Sequence, residues 1–133
     1  MPEPAVSSPA LISIVDDDQP FRESMRRLVM LLGYSVEAFA SAEDFLASRA
    51  LSQTDCLVTD IHMPEMTGIE LYQHLIRSRF ALPTIFVTAY PDEAVREQSL
   101  KDGVICYLAK PVDDEDLDHC IRLALAPKFR GNS

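Results

Sequence analysis

Residues 55–68, DCLVTDIHMPEMTG, carry the first sign of how this chain is built. A short apolar run, Cys56-Leu57-Val58, leads into Asp60, the chain turns at Pro64, and a helix restarts near Gly68. A carboxylate at the C-terminal end of a buried strand stands at the rim of a sheet, where open α/β folds place their chemistry.

Upstream of that stretch, residues 10–15 (ALISIV) form a continuous apolar run with β-branched residues, as expected of a strand covered on both faces. Asp16, Asp17 and Asp18 end it, and Pro20 stands where a first helical residue belongs. Phe21, Met25, Leu28, Val29 and Leu32 then recur at helical spacing, with Arg22, Arg26 and Arg27 on the opposite side and Gly33 closing the helix. Residues 35–40 read as a second, shorter strand. Ser41 with Asp44 resembles a capping box and opens a short helix through about Arg49.

Downstream, Ile69, Tyr72, Leu75 and Ile76 mark a third helix that ends before Pro83. Residues 84–88 (TIFVT) are a fourth buried strand. A fourth helix starts at Pro91-Asp92 and is poor in apolar residues (Ala94, Val95, Leu100), so it is expected to be exposed and mobile. Gly103 ends it, residues 104–109 form a fifth strand, and Lys110-Pro111 follow at once. Asp113 caps a last helix whose buried face is Leu117, Cys120, Ile121 and Ala124. Residues 1–9 read as a loose arm, 10–126 as a single domain, and 127–133 as a polar tail or the start of a linker.

Strand and helix thus alternate five times without an internal repeat. Alternation with buried strands predicts a parallel sheet sandwiched by five helices. Right-handed crossovers leave few arrangements, and the flavodoxin-like order 2-1-3-4-5 fits best.

Composition narrows the function classes. The net charge of −9 argues against direct DNA or RNA binding, which needs a basic surface. It suits a basic partner or a site that concentrates cations. No apolar run reaches the ~18–20 residues of a membrane span, and the N-terminus lacks the pattern of a signal peptide. The three cysteines (Cys56, Cys106, Cys120) are odd in number and two lie in predicted strands, so they read as reduced core residues of a cytoplasmic protein. His62, His74 and His119 show no metal-ligand spacing. No glycine-rich phosphate loop is present.

The strand ends hold the chemistry. The first strand gives Asp16 and Asp17, the third Asp60, the fourth Thr88 and the fifth Lys110. In a parallel sheet these ends share one edge. Singly, each aspartate is as readily a helix cap, Thr88 a β-branched strand residue, and Lys110 a solvated charge. Those readings do not explain why all five meet at one edge. Crowded carboxylates repel unless a cation sits among them, and a hard divalent ion, Mg²⁺ above all, satisfies oxygen donors and can carry phosphate oxygens. Asp60 could then attack a phosphoryl donor, with Lys110 and the Thr88 hydroxyl taking further oxygens and the small Ala89 leaving room.

With IVDDD, LVTDIHMPEMTG, FVTAY and YLAKP in order and register, the chain resembles the receiver domain of bacterial two-component response regulators over about residues 10–126, most of all the FixJ-like branch. The resemblance implies phosphorylation of Asp60 by a sensor histidine kinase or phosphotransfer protein. It also implies Mg²⁺ (Mn²⁺ substituting) on Asp17, Asp60, the backbone carbonyl of His62 and, directly or through water, Asp16. Thr88 and Tyr107 would be the switch pair, Lys110 the phosphate contact, and Pro111 a cis proline. His62 and Tyr90 border the site in the family and tune loss of the phosphoryl group, so large side chains there imply a lifetime of minutes or longer.

The output surface would be helix four, strand five and helix five, open to phosphorylation-dependent dimerisation. FixJ-like receivers usually precede a helix-turn-helix domain that regulates transcription, so the chain is expected to be either a stand-alone receiver or part of a longer regulator. Asp18 reads as a solvated charge at the helix start. Two other classes compete. A haloacid-dehalogenase-like phosphatase also uses a strand-end aspartate, but Asp16, Asp18 and Pro20 do not complete its motif. An interaction domain that is never phosphorylated would leave the full set of site residues unexplained.

Overall fold

The computed structural model describes residues 9–127; nearly all of the expected arm and tail (1–8 and 128–133) lie outside the described residues. Five strands, β1 (Leu11–Val15), β2 (Ser35–Phe39), β3 (Cys56–Asp60), β4 (Thr84–Thr88) and β5 (Cys106–Ala109), pair in parallel in the order β2-β1-β3-β4-β5. The helices are α1 (Gln19–Leu31), α2 (Ala42–Leu46), α3 (Gly68–Arg77), α4 (Glu93–Lys101) and α5 (Asp114–Leu125). This is the flavodoxin-like arrangement expected from the alternation of elements.

Because side chains alternate across a strand, the central strands feed two cores. Ile12, Ile14, Val58, Ile85 and Val87 pack on one face with Met25 and Val29 of α1 and Leu117, Ile121 and Ala124 of α5. Val15 and Leu57 pack on the other with Phe45 of α2 and Leu71 and Leu75 of α3. Every residue of β3 and β4 is buried, which is why they read as unbroken apolar runs. Helix α4 buries only Ser99, in keeping with its weak apolar face.

Register fixes the functional edge. Val15 pairs with Thr59, Asp60 with Val87, and Thr88 with Ala109. Asp16, Asp60, Thr88 and Lys110 therefore stand within a step of one another at the ends of four adjacent strands. The ladder continues one residue further through Ile61 N–H to Val87 O (3.1 Å) and Lys110 N–H to Thr88 O (2.8 Å).

The sequence boundaries need several corrections. The short helix stops at Leu46, and Ser48 starts a separate 3₁₀ turn over Arg49–Gln53 by accepting the Ala50 N–H at 2.8 Å. The fifth strand begins at Cys106 because Val104 N–H still bonds Ser99 O (3.0 Å) in the turn out of α4. The third helix ends before Pro83 as expected, at Arg77, closed by Arg79 at φ 63 and by Phe80 N–H on Leu75 O (2.9 Å). Ile76, read as part of its apolar face, is exposed; Leu71 takes that place.

The cysteines are also corrected. Cys106 and Cys120 form a disulfide instead of two reduced thiols, since β5 and α5 bring their Cα atoms to 6.1 Å, within bridging range. Cys56 is free and buried, and that burial pushes its thiol up to about 12. Among the described residues no helix is long and apolar enough to cross a membrane.

The join between β3 and α3 is tight. Thr67 caps α3 in a reciprocal capping box with Glu70 (3.1 and 3.0 Å), and Gly68 N–H bonds Ile61 O at 2.9 Å. A Cβ on Gly68 would land on the backbone carbonyl oxygen of Asp60 and 3.0 Å from Ile61 Cα. Backbone cannot yield as a flexible side chain can. Gly68→Ala is therefore expected to cost about 1–3 kcal/mol in urea unfolding; a change within about 0.5 kcal/mol, the usual range for neutral surface changes, would show that this approach is not tight.

Candidate functional site

Asp16 begins the site. It is fully buried, and both of its carboxylate oxygens are used: Oδ1 accepts the Asp18 N–H at 2.9 Å and Oδ2 accepts Lys110 Nζ at 2.9 Å. Its backbone carbonyl takes a hydrogen bond from Arg22 Nη1 at 2.7 Å. Asp17, next along, is exposed. Asp18 is exposed as well and makes no side-chain cap to α1, in line with its reading as a solvated charge.

Asp60 is 5% exposed, with Oδ1 3.7 Å from Lys110 Nζ. Asp16, Asp17 and Asp60 each offer a carboxylate oxygen, and these oxygens lie within 4.8 Å of one another. Burial, above all, and then the neighbouring charge of Asp16 push the Asp60 carboxyl up to about 6. Lys110 pulls it back, Asp17 raises it further, and a hydrogen bond from the His62 backbone lowers it. Three hard oxygen donors, one of them open to solvent, fit a divalent cation such as Mg²⁺. Without one, the ammonium of Lys110 is the counter-charge.

Other predicted residues surround this cluster. Thr88 is buried, and its Oγ1 accepts the Tyr90 N–H at 2.9 Å, which leaves the hydroxyl proton free to donate. Ala89 is exposed. His62 and Tyr90 are both exposed, yet not independently: their rings meet edge to face with centroids 5.4 Å apart. The Lys110-Pro111 peptide bond is cis. Tyr107 is not part of the cluster. It packs against the cluster formed by Ile61, Tyr72, Phe86 and Val104, and its hydroxyl accepts the Asp92 N–H at the start of α4 (3.1 Å).

Two further contacts, at Lys110 and Asp16, had no counterpart in the sequence pattern. The Phe21 ring lies under Lys110 Nζ, 4.1 Å from its centroid, and Arg22 ties α1 to the Asp16 carbonyl. Periodicity assigned Phe21 to the core face of α1. Its position in the first turn of the helix that follows the aspartates was the only available signal.

The response regulator receiver domain model matches residues 12–122. The response regulator protein TodT of Pseudomonas putida is 36% identical over 126 residues, covering 93% of this chain and 56% of TodT. The transcriptional regulatory protein FixJ of Rhizobium meliloti is 33% identical over 113 residues, covering 85% of this chain and 55% of FixJ. This chain thus spans about half the length of these curated relatives. Among solved structures, FixJ-N superposes with a TM-score of 0.79 at 29% identity, covering 92% of this chain and all of the other. The response regulator StyR gives 0.81 at 36% identity, over 89% of this chain and 60% of StyR.

The raised Asp60 carboxyl has a consequence for stability. Its folded value of about 6 exceeds the ordinary 3.8, so its stabilising contribution is full below the ordinary value and is lost as pH rises through about 6. Asp60→Asn removes that loss. The metal-free variant should be more stable than the parent at pH 7 by on the order of 1–2 kcal/mol, with the gain shrinking toward pH 4. Thermal unfolding in chelator checks this; a variant less stable at pH 7 would contradict it.

Proposed function

Since the chain belongs to the family of response regulator receiver domains, we propose that it is a phosphoacceptor switch acting through Asp60. One observation carries the reading: three carboxylates and one ammonium, from strands far apart in sequence, converge at one sheet edge. The donor is a sensor histidine kinase or a phosphotransfer protein, in the cytoplasm. One Asp60 oxygen attacks the phosphorus of a phosphohistidine in line. The P–N bond breaks, its electron pair leaves on the imidazole, which takes up a proton, and a mixed carboxylic–phosphoric anhydride remains on Asp60.

Asp17, Asp60, the backbone carbonyl of His62 and, directly or through water, Asp16 would hold Mg²⁺ (or Mn²⁺), which would supply neutralisation of oxygen charge. Lys110 exchanges Asp16 for a phosphoryl oxygen. The Thr88 hydroxyl donates to another, and Ala89 leaves the group room. The His62–Tyr90 edge contact supports a shielding role against in-line water, and with it a phosphorylated lifetime of minutes or longer. The chemistry serves only its own phosphorylation and dephosphorylation, so the domain is not an enzyme acting on a separate metabolite.

The switch runs from Thr88 to Tyr107. Drawing Thr88 toward the phosphoryl group vacates space, and the Tyr107 ring rotating into it gives up the Asp92 N–H. That releases the N-terminus of α4, a helix with a single buried residue. A few kcal/mol of differential stabilisation suffices to repopulate such an element. The α4–β5–α5 surface then controls an output domain or partner, or a phosphorylation-dependent homodimer. Its relatives are regulators of transcription; with a net charge of −9 the domain itself does not grip nucleic acid.

Acetyl phosphate with Mg²⁺ is expected to add one phosphoryl group per chain by intact mass, and none to Asp60→Asn or in excess chelator. No mass gain, or continuous turnover of a phosphate ester as a phosphatase would show, would contradict the proposal. Small side chains at both His62 and Tyr90 should shorten the lifetime of the acyl-phosphate; an unchanged decay would remove the shielding role.

A further inference from the structure

We propose that Phe21 is a positioning residue for Lys110, holding its ammonium at the phosphoryl site while its carboxylate partners are occupied otherwise. The inference rests on the phosphoacceptor reading above. Among the described residues the ammonium meets Asp16 Oδ2 at 2.9 Å, Asp60 Oδ1 at 3.7 Å, and the Phe21 ring, its centroid at 4.1 Å. The Lys110 side chain is only 15% exposed, so little water competes with the ring.

The two carboxylates cannot hold Lys110 through the reaction. Asp16 and Asp60 are in the acidic cluster that suits a divalent ion, and Asp60 is the nucleophile. A second cation at those oxygens would repel the ammonium. A lysine released from its partners regains a long, flexible stem. The ring is the one neighbour the chemistry does not use. Its face attracts a cation without a directional hydrogen bond, so Nζ can move from Asp16 toward a phosphoryl oxygen while staying over it.

Local sequence explains why a ring is there. Pro20 starts α1 and Phe21 follows in its first turn. Side chains in a helix lean toward its N-terminus, which here is the strand-end loop carrying Asp16 and Asp17. The half-buried ring also touches the core below α1, so simple packing must be separated from positioning.

The test compares Phe21→Leu, which keeps apolar bulk without a π face, with Phe21→Trp, which keeps the face. Phosphorylation by acetyl phosphate with Mg²⁺ avoids any contribution from kinase docking. Phe21→Leu should react about two- to tenfold more slowly, while Phe21→Trp stays near the parent rate. Independently, the Lys110 εCH₂ protons of the parent should resonate upfield through ring shielding and lose that shift in Phe21→Leu. Equal rates for the parent and Phe21→Leu overturn the inference. So do unshielded Lys110 protons in the parent, even if Phe21→Leu fails to fold. A parent that shows the shielding but takes no phosphoryl group instead overturns the function proposed above, and with it this role.

Discussion

Like charges crowded at one edge of a sheet are the constraint on which the rest depends. Asp16 and Asp60 are almost wholly buried, and Asp17 stands beside them with an oxygen within 4.8 Å of theirs. Burying carboxylates together is unfavourable, and the structure compensates with one ammonium, Lys110, supplied by the last strand. The Asp60 carboxyl still sits near 6, so compensation is incomplete. A site in this state favours whatever adds positive charge among its oxygens, which is the property that a metal-assisted phosphoryl acceptor needs.

The fold makes that crowding unavoidable. Parallel strands in the order β2-β1-β3-β4-β5 bring all C-terminal ends to one edge, and the pairing register sets Asp16 beside Asp60 and Lys110 one step past Thr88. Rigid parts hold the charges: the buried β3 and β4, and the close approach of Gly68 to the backbone of Asp60. Loosely packed parts lie where a response would be transmitted. Helix α4 buries one residue, and Tyr107 reaches it by one hydrogen bond to Asp92. Stiff chemistry beside a soft output element is the physical basis proposed for switching.

Much of this was legible in the sequence because it is written in period and position. Continuous apolar runs identified β1, β3 and β4, and the polar residue after each run named the edge. What was not legible depends on which faces meet. Nothing in the spacing of Cys106 and Cys120 says that this strand residue faces that helix residue. Phe21 matched the core face of α1 by period, yet its ring also lies under Lys110, 89 positions further on. The His62–Tyr90 contact likewise joins loops from different strands. A boundary failed where capping chemistry overrode period, as at Ser48.

The most direct measurement is a crystal structure of the protein with Mg²⁺ and beryllofluoride, a non-transferable phosphoryl mimic. The account predicts beryllium bonded to an Asp60 carboxylate oxygen, with Lys110 Nζ moved from Asp16 onto a fluorine. Beryllofluoride bound elsewhere, or on Asp60 with Lys110 still paired to Asp16, would contradict it.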